Sequence, residues 1–282
     1  MTRLTFDEYR ASPGLNISAL KHLRHSPQMF IHRLENPDTS PAMQFGTLAH
    51  LLTLEPSRSD EVVPWTKRTE TGAMSPRRGK DWEAFKAEHA GKLIVSLDEM
   101  NDAEDLARAV RSDPVAAKYL AKGEAEVSFS WEWPVGRCKA RADWVTSVDG
   151  RLTLVGLKTA RDCRPFQFGA AAARLGYHLQ WAWYQDGWRE AHGEAHGMNT
   201  VPRMVEIVVE SEAPHSVVVY TIPEDVIEQG RGEYQDLLIQ YQECQRSGDW
   251  HGPADVEQVL TLPSWVYGAD DDLSDLGLEG IR

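Results

Sequence analysis

Lys139-Ala-Arg-Ala-Asp143-Trp-Val-Thr-Ser-Val-Asp149-Gly150-Arg-Leu-Thr-Leu-Val-Gly156-Leu-Lys158 sets two strand-like runs on either side of Asp149-Gly150. Asp-Gly between such runs signals a tight hairpin, because both central residues of the turn must tolerate positive φ. With a two-residue loop, position 156 lies across from Asp143. Side chains two apart share a face, so Arg141 and Lys158 join them. An acid, its cross-strand neighbour and a lysine then cluster on one side of a sheet. A carboxylate opposite Asp143 would bind a hard divalent cation through oxygen, and a lysine beside it can position an attacking water. The same pattern also suits a hairpin that merely solvates its charges. If Pro134–Arg137 is an even-numbered turn, the preceding strand brings Glu126 diagonal to Asp143, about 7–8 Å away.

Outward from this hairpin, Glu126–Trp133, Cys138–Thr146 and Arg151–Lys158 read as strands, as do Arg203–Glu210 and Ser216–Ile222, joined around Pro214. A single amphipathic helix is expected over 165–192, with Gly169 and Gly176 as weak points, and another over Glu224–Arg246. Before residue 123 the periodicity is helical. Asn16 or Ser18 caps one helix, Ser26-Pro27 opens a second, and Met43 to Leu54 forms a third,. Further helices are expected near 81–90, 98–111 and 114–121. Residues 64–80, with Lys67, Arg68, Arg77, Arg78 and Lys80, read as a basic loop. It either grips a nucleic-acid backbone or serves as a solvated linker. These patterns predict one α/β domain over residues 1–262, helical over 1–122, with a sheet core over 123–222 and a helix over 223–247. An acidic, loose tail is expected over 263–282.

The chain has 282 residues, 41% of them hydrophobic, which is enough apolar material for a large core,. No run of about 18 apolar residues predicts a transmembrane helix. The N-terminus does not read as a secretory signal, so a cytoplasmic location in a bacterial or phage-infected cell is expected. Cys138, Cys163 and Cys244 are odd in number and lie far apart, which suits a reducing compartment and argues against an iron–sulfur cluster,. The net charge of −13 excludes a uniformly basic nucleic-acid coat,. It still permits a narrow basic path.

Several blocks, in order, resemble the RecE-type (exodeoxyribonuclease VIII) and lambda-exonuclease-like phage exonucleases of the PD-(D/E)XK nuclease superfamily. They are Asn16-Ile-Ser-Ala-Leu-Lys21, Ser26-Pro27-x-x-Phe30, Phe45-Gly-Thr-Leu-Ala-His50, Arg78-Gly-Lys-Asp-Trp82, Glu126-Val-Ser-Phe, Lys139-Ala-Arg-Ala-Asp143-Trp, Leu157-Lys158-Thr159 and Tyr177-His-Leu-Gln180-x-x-x-Tyr184. The resemblance implies a restriction-endonuclease-like core, a central mixed β-sheet flanked by helices. It implies Asp143 and His50 as metal ligands, with Glu126 and the Leu157 carbonyl beside them, and Lys158 as the residue orienting the water. Gln180 and Tyr184 match a QxxxY signature, and Ser18 is a looser match to a serine near the substrate phosphate. With Arg141, Arg77, Arg78 and Lys80, Ser18 would contact DNA.

The implied activity is 5′→3′ digestion of double-stranded DNA ends. It would use Mg²⁺ (or Mn²⁺), two ions in an intact site, and leave 3′ single strands for an annealing recombinase in phage-type recombination. Relatives are ring-shaped trimers or tetramers, and no membrane is involved. One departure cuts across this. The pattern requires Asp or Glu two residues before the lysine, and here it is Gly156. Asp149 lies about 20 Å away along the hairpin, and the sequence does not place Asp162. Gly156 is an introduced change that disables the enzyme, a natural loss in a non-catalytic DNA-end-binding protein or recombination scaffold, or a gap filled by another acid. On any of these the chain is expected to be severely impaired, and Gly156→Asp to restore digestion.

Overall fold

The computed structural model describes residues 4–37, 40–196 and 201–262, so the expected 263–282 tail lies outside the described residues. Helices α1 (Phe6–Ala11), α2 (Ile17–Leu20), α3 (Pro27–Glu35) and α4 (Pro41–Leu54) come first. Thr5, Asn16, Ser26 and Ser40 cap them, each side chain accepting a first-turn backbone N–H that the helix leaves unpaired,. Next come β1 (Val62–Trp65), α5 (Lys80–Glu88), β2 (Leu93–Ser96), α6 (Leu97–Ser112) and α7 (Pro114–Leu120). Strands β1 and β2 pair in parallel as a separate two-stranded sheet. The loop expected over 64–80 therefore loses its first two residues to β1. Val62-Val-Pro-Trp65 is too short for its alternation to be read alone.

The remaining elements are β3 (Gly123–Trp133), β4 (Gly136–Val148), β5 (Arg151–Ala160), α8 (Pro165–Leu175), α9 (Tyr177–His196), β6 (Arg203–Glu210), β7 (Val217–Thr221) and α10 (Glu224–Ser247). They build a five-stranded mixed sheet of order β3-β4-β5-β6-β7. Only β5 and β6 run parallel. Parallel neighbours need a long crossover, and α8 and α9 provide it. The fold class is the expected mixed α/β arrangement.

The hairpin forms in the expected register. Val148 pairs with Arg151, and Asp149 and Gly150 have φ of 55° and 73°. Two expectations change. The single helix over 165–192 is two helices, because Gly176 adopts φ 67° and caps α8 through bonds to the Ala172 and Ala173 carbonyls,. Glu126 is level with Asp143 rather than diagonal to it, because Trp133 pairs with Gly136 across a two-residue turn. Ala125 and Val127 pair with Trp144 and Ala142, while Glu126 between them has φ 57° and leaves the ladder. Positive φ is uncommon for a side-chain-bearing residue, and such residues concentrate at functional sites.

The alternation of β5 and β6 assigns their faces. Val155, Leu157, Val205, Ile207 and Val209 pack with Ala49, Leu106 and Val110 of α4 and α6. Leu154, Met204 and Val208 point the other way, into the core built with Leu179, Trp181 and Trp183 of α9 and with α10. Gly156, Lys158 and Glu206 share that second face by their spacing. No helix among the described residues is long and apolar enough to cross a membrane.

Candidate functional site

The β4–β5 ladder runs from the turn to Trp144–Val155. Beyond it the Asp143 carboxylate accepts the Leu157 N–H at 2.9 Å, a side chain taking over a bond the ladder no longer makes,. This opening holds a small cavity lined by Asp143, Gly156, Lys158, Gln180, Tyr184 and Glu206, among others. Five sequence-predicted positions, Asp143, Gly156, Lys158, Gln180 and Tyr184, meet there. Gln180 and Tyr184 reach it because i,i+4 spacing puts them on one side of α9.

Lys158 Nζ stands 3.7 Å from Asp143 Oδ2 and 3.7 Å from Glu206 Oε1, with the Tyr177 ring 5.5 Å away. Burial alone would lower the lysine pKa, but the two carboxylates outweigh it and hold the ammonium form,. Burial would likewise raise the Asp143 pKa. Lys158, His50 and the Leu157 N–H reverse that, and Asp143 stays below the usual carboxylate range. Burial pushes the Tyr184 phenol up to about 12.

His50 comes from α4. Its Nε2 lies 2.7 Å from the Leu157 carbonyl and its Nδ1 4.0 Å from Glu126 Oε1. A carbonyl can only accept, so Nε2 carries the proton in this contact. Here His50 holds the carbonyl instead of offering a lone pair from Nε2. Burial works to lower its pKa, but Asp143 and Glu126 carry the net shift upward. Glu126 is engaged on its other oxygen by Arg141 at 3.0 Å. Arg141 itself lies beneath the Phe6 ring of α1 with 12% of its side chain exposed. Arg141, expected to contact DNA, is thus largely buried with its charge paired to Glu126.

The other expected DNA contacts are not brought together with this cluster by any interaction found among the described residues. Ser18 is exposed on α2. Arg77 pairs with Glu99 at 2.8 Å and lies over the Trp82 ring, while Arg78 and Lys80 are exposed. Of these cations, Arg78 and Lys80 have the better claim to a phosphate. Replacing both with alanine is expected to lower the slope of log binding constant against log salt by about 2, measured by titration on duplex DNA. An unchanged slope removes the loop from the interface.

Sequence reasoning missed Glu206. It is 1% exposed, and Trp181 Nε1 donates to its Oε2 at 2.5 Å. Burial, opposed by Lys158, raises its pKa. The signal was present in Met204-Val-Glu206-Ile-Val-Val209, a lone acid inside an otherwise apolar strand. Such a residue is seldom buried without a partner. Trp181 of α9 thereby orients this acid. Lys21, within a family-like block but given no role, donates to the Leu175 carbonyl at 3.0 Å. Burial, helped by the charge of Lys158, lowers its pKa to about 8.

Among the described residues no three His, Cys, Asp or Glu side chains form a ready-made metal cage. The donor set nevertheless fits a hard cation that keeps most of its waters. Asp143 is ionised, and Glu206 Oε1 is buried with no hydrogen-bond partner. Mg²⁺ is typically held by one or two carboxylates and otherwise by water and phosphate oxygens.

A family model described as a PDDEXK-like domain of unknown function matches residues 16–259. No curated protein sequence matches the chain. Among solved structures, a candidate exonuclease from Eubacterium rectale is similar over 100% of both chains, with a TM-score of 0.60 and 14% identity. The protein SSO0001 is matched over 84% of this chain and 82% of its own, with a TM-score of 0.39 and 11% identity.

Proposed function

The chain belongs to the family of PDDEXK-like domains, and on that footing we propose that it is a divalent-cation-dependent exonuclease acting on ends of double-stranded DNA. The direction we propose is 5′→3′, leaving 3′ single strands for an annealing recombinase. One observation carries the reading. Lys158 and Asp143 stand 3.7 Å apart where β4 and β5 part, with the Leu157 backbone held between Asp143 and His50. Nucleases of the PD-(D/E)XK kind generally use divalent metal ions, and the name of the Eubacterium rectale neighbour is consistent with end-directed cleavage.

Phosphodiester hydrolysis needs a water directed at phosphorus, opposite the leaving 3′-oxygen, and relief of the charge that gathers on the phosphate. A bound divalent ion supplies a water of lowered pKa and a counter-charge. Lys158, fixed as an ammonium, can donate to that water and to a phosphate oxygen. Asp143 would hold the ion, and its bond from the Leu157 N–H keeps its oxygens from turning. His50 donates to the Leu157 carbonyl and, with Asp143 on the Leu157 N–H, fixes that stretch of β5 beside the site. Glu126 and Arg141 balance one another beneath His50, so neither needs solvent.

Gly156 favours a second reading, a DNA-end-binding protein without catalysis. The two separate in one assay. The proposed enzyme digests linear duplex DNA with Mg²⁺, leaves closed circles intact, stops on chelation, and releases a 5′ label before a 3′ label. End binding without any digestion sinks the first reading, and equal cutting of circles sinks its end dependence.

A further inference from the structure

We infer that Glu206 supplies the carboxylate that Gly156 lacks, so that the second acidic metal ligand is carried by β6 instead of β5. The inference rests on the nuclease reading and adds to it a residue the family pattern does not place there.

Four observations converge. Gly156 and Glu206 are direct partners in the parallel β5–β6 ladder. Their side-chain positions are therefore adjacent on the same face of the sheet. A Cβ built at Gly156 would stand 2.3 Å from Glu206 Oε1, 2.6 Å from Oε2 and 2.7 Å from Cδ. The Glu206 carboxylate thus occupies the space in which a residue 156 side chain would begin. Lys158 Nζ is equidistant from Asp143 and Glu206, at 3.7 Å each. That is the relation expected of a lysine serving two metal-binding acids. Finally, Glu206 Oε1 is buried without a hydrogen-bond partner although Oε2 has Trp181. Its one ion-pair partner among the described residues, the Lys158 ammonium at 3.7 Å, stands beyond hydrogen-bond distance, so this buried oxygen keeps a lone pair open to a cation,.

The alternatives are placed elsewhere. Asp149 sits in the hairpin turn, bound to Lys118 at 2.8 Å. Asp162 lies beyond β5 and bonds Arg164 at 2.6 Å. A side chain at 156 and the Glu206 carboxylate compete for one space, so a residue larger than glycine at 156 would push that carboxylate, the far end of a flexible side chain, out of its present place. Gly156 is then the complement of Glu206 and not a lesion. This reverses the sequence-based expectation for Gly156→Asp, whose added side chain would displace the Glu206 carboxylate instead of restoring a missing one.

The test is Mn²⁺ binding to the purified full chain, followed by electron paramagnetic resonance, alongside the duplex-digestion assay. Glu206→Gln keeps the shape and the Trp181 bond. It is expected to weaken Mn²⁺ binding by at least the roughly 10–100-fold that losing even an outer-shell partner costs, and Asp143→Asn is expected to do the same. Gly156→Asp alone is expected to weaken it too. The exchange Gly156→Asp with Glu206→Ala is expected to regain most of it by returning the acid to β5. If Glu206→Gln binds Mn²⁺ and digests DNA like the parent while Asp143→Asn does neither, the inference falls and the nuclease reading stands. If Mn²⁺ binding depends on Glu206 but no form digests DNA, the inference stands and the nuclease reading falls. If the parent neither binds Mn²⁺ nor digests DNA, both fall.

Discussion

Asp143→Asn cuts duplex digestion by about 10³-fold or more while leaving the protein folded, the size of loss seen when a preorganised electrostatic contact to the transition state is removed. Asparagine is nearly isosteric, and its carbonyl oxygen can still accept the Leu157 N–H that now goes to Asp143 at 2.9 Å. Lys158 keeps Glu206 as a partner at 3.7 Å, so no buried ammonium is stranded. What disappears is one negative charge at the mouth of the β4–β5 opening, and with it half of the proposed acidic donor set. Single-turnover digestion of end-labelled duplex measures the effect, with a thermal melt as the control for folding. Activity within tenfold of the parent would show that cleavage, if present, takes place elsewhere.

Gly230→Ala destabilises the fold by about 3 kcal/mol or more, an overpacking cost at the upper end of the usual range. In a chain of this size that lowers the melting temperature by about 6–12 °C. Helix α10 crosses the start of α9 at this residue. A methyl group there would meet the His178 carbonyl oxygen at 2.1 Å, its carbon at 2.4 Å and the Leu179 nitrogen at 3.0 Å. Each of these is backbone, so relief requires moving α9 as a body. Gly232→Ala supplies the contrast. It is two residues along the same helix with nothing within 4 Å, and there alanine should stabilise by about 0.8–1 kcal/mol through helix propensity alone. Calorimetry on the pair checks the sign as well as the size. Since α9 carries Tyr177, Gln180, Trp181 and Tyr184, Gly230→Ala should also impair digestion below its melting temperature. A melt equal to that of the parent would mean that the helices cross with more room than this.

Much of this arrangement was legible in the chain. Asp149-Gly150 sets the hairpin register, because few other residue pairs accept two successive positive φ values. That register carries Asp143, position 156 and Lys158 to one place without reference to any other part of the molecule. The five strands of the main sheet were readable from period and punctuation, and so was the i,i+4 relation of Gln180 and Tyr184. The break at Gly176 was weighed as a weak point and proved to be a helix end, since glycine permits the left-handed cap but does not require it.

What escaped the sequence was set by partners distant along the chain. Glu126 was placed diagonally because the length of the turn after its strand could not be counted, and where it leaves the ladder its carboxylate meets Arg141 and His50, from elsewhere in the chain. His50 could be singled out but not oriented, since its bond to the Leu157 carbonyl joins residues 107 apart. Glu206 could not be assigned at all. Its neighbour Gly156 lies fifty positions earlier, and only the parallel pairing of β5 with β6 brings the two side by side. A hairpin is a local object, fixed by the conformations its turn residues can adopt. A parallel pair has no such local rule, and its register is decided by how the α8–α9 crossover packs back onto the sheet. By itself the sequence therefore determined where one acid and the lysine stand, and it left a glycine where a second acid was expected. The tertiary structure put the Glu206 carboxylate in that space, because the β5–β6 register sets Glu206 beside Gly156 and next to Lys158.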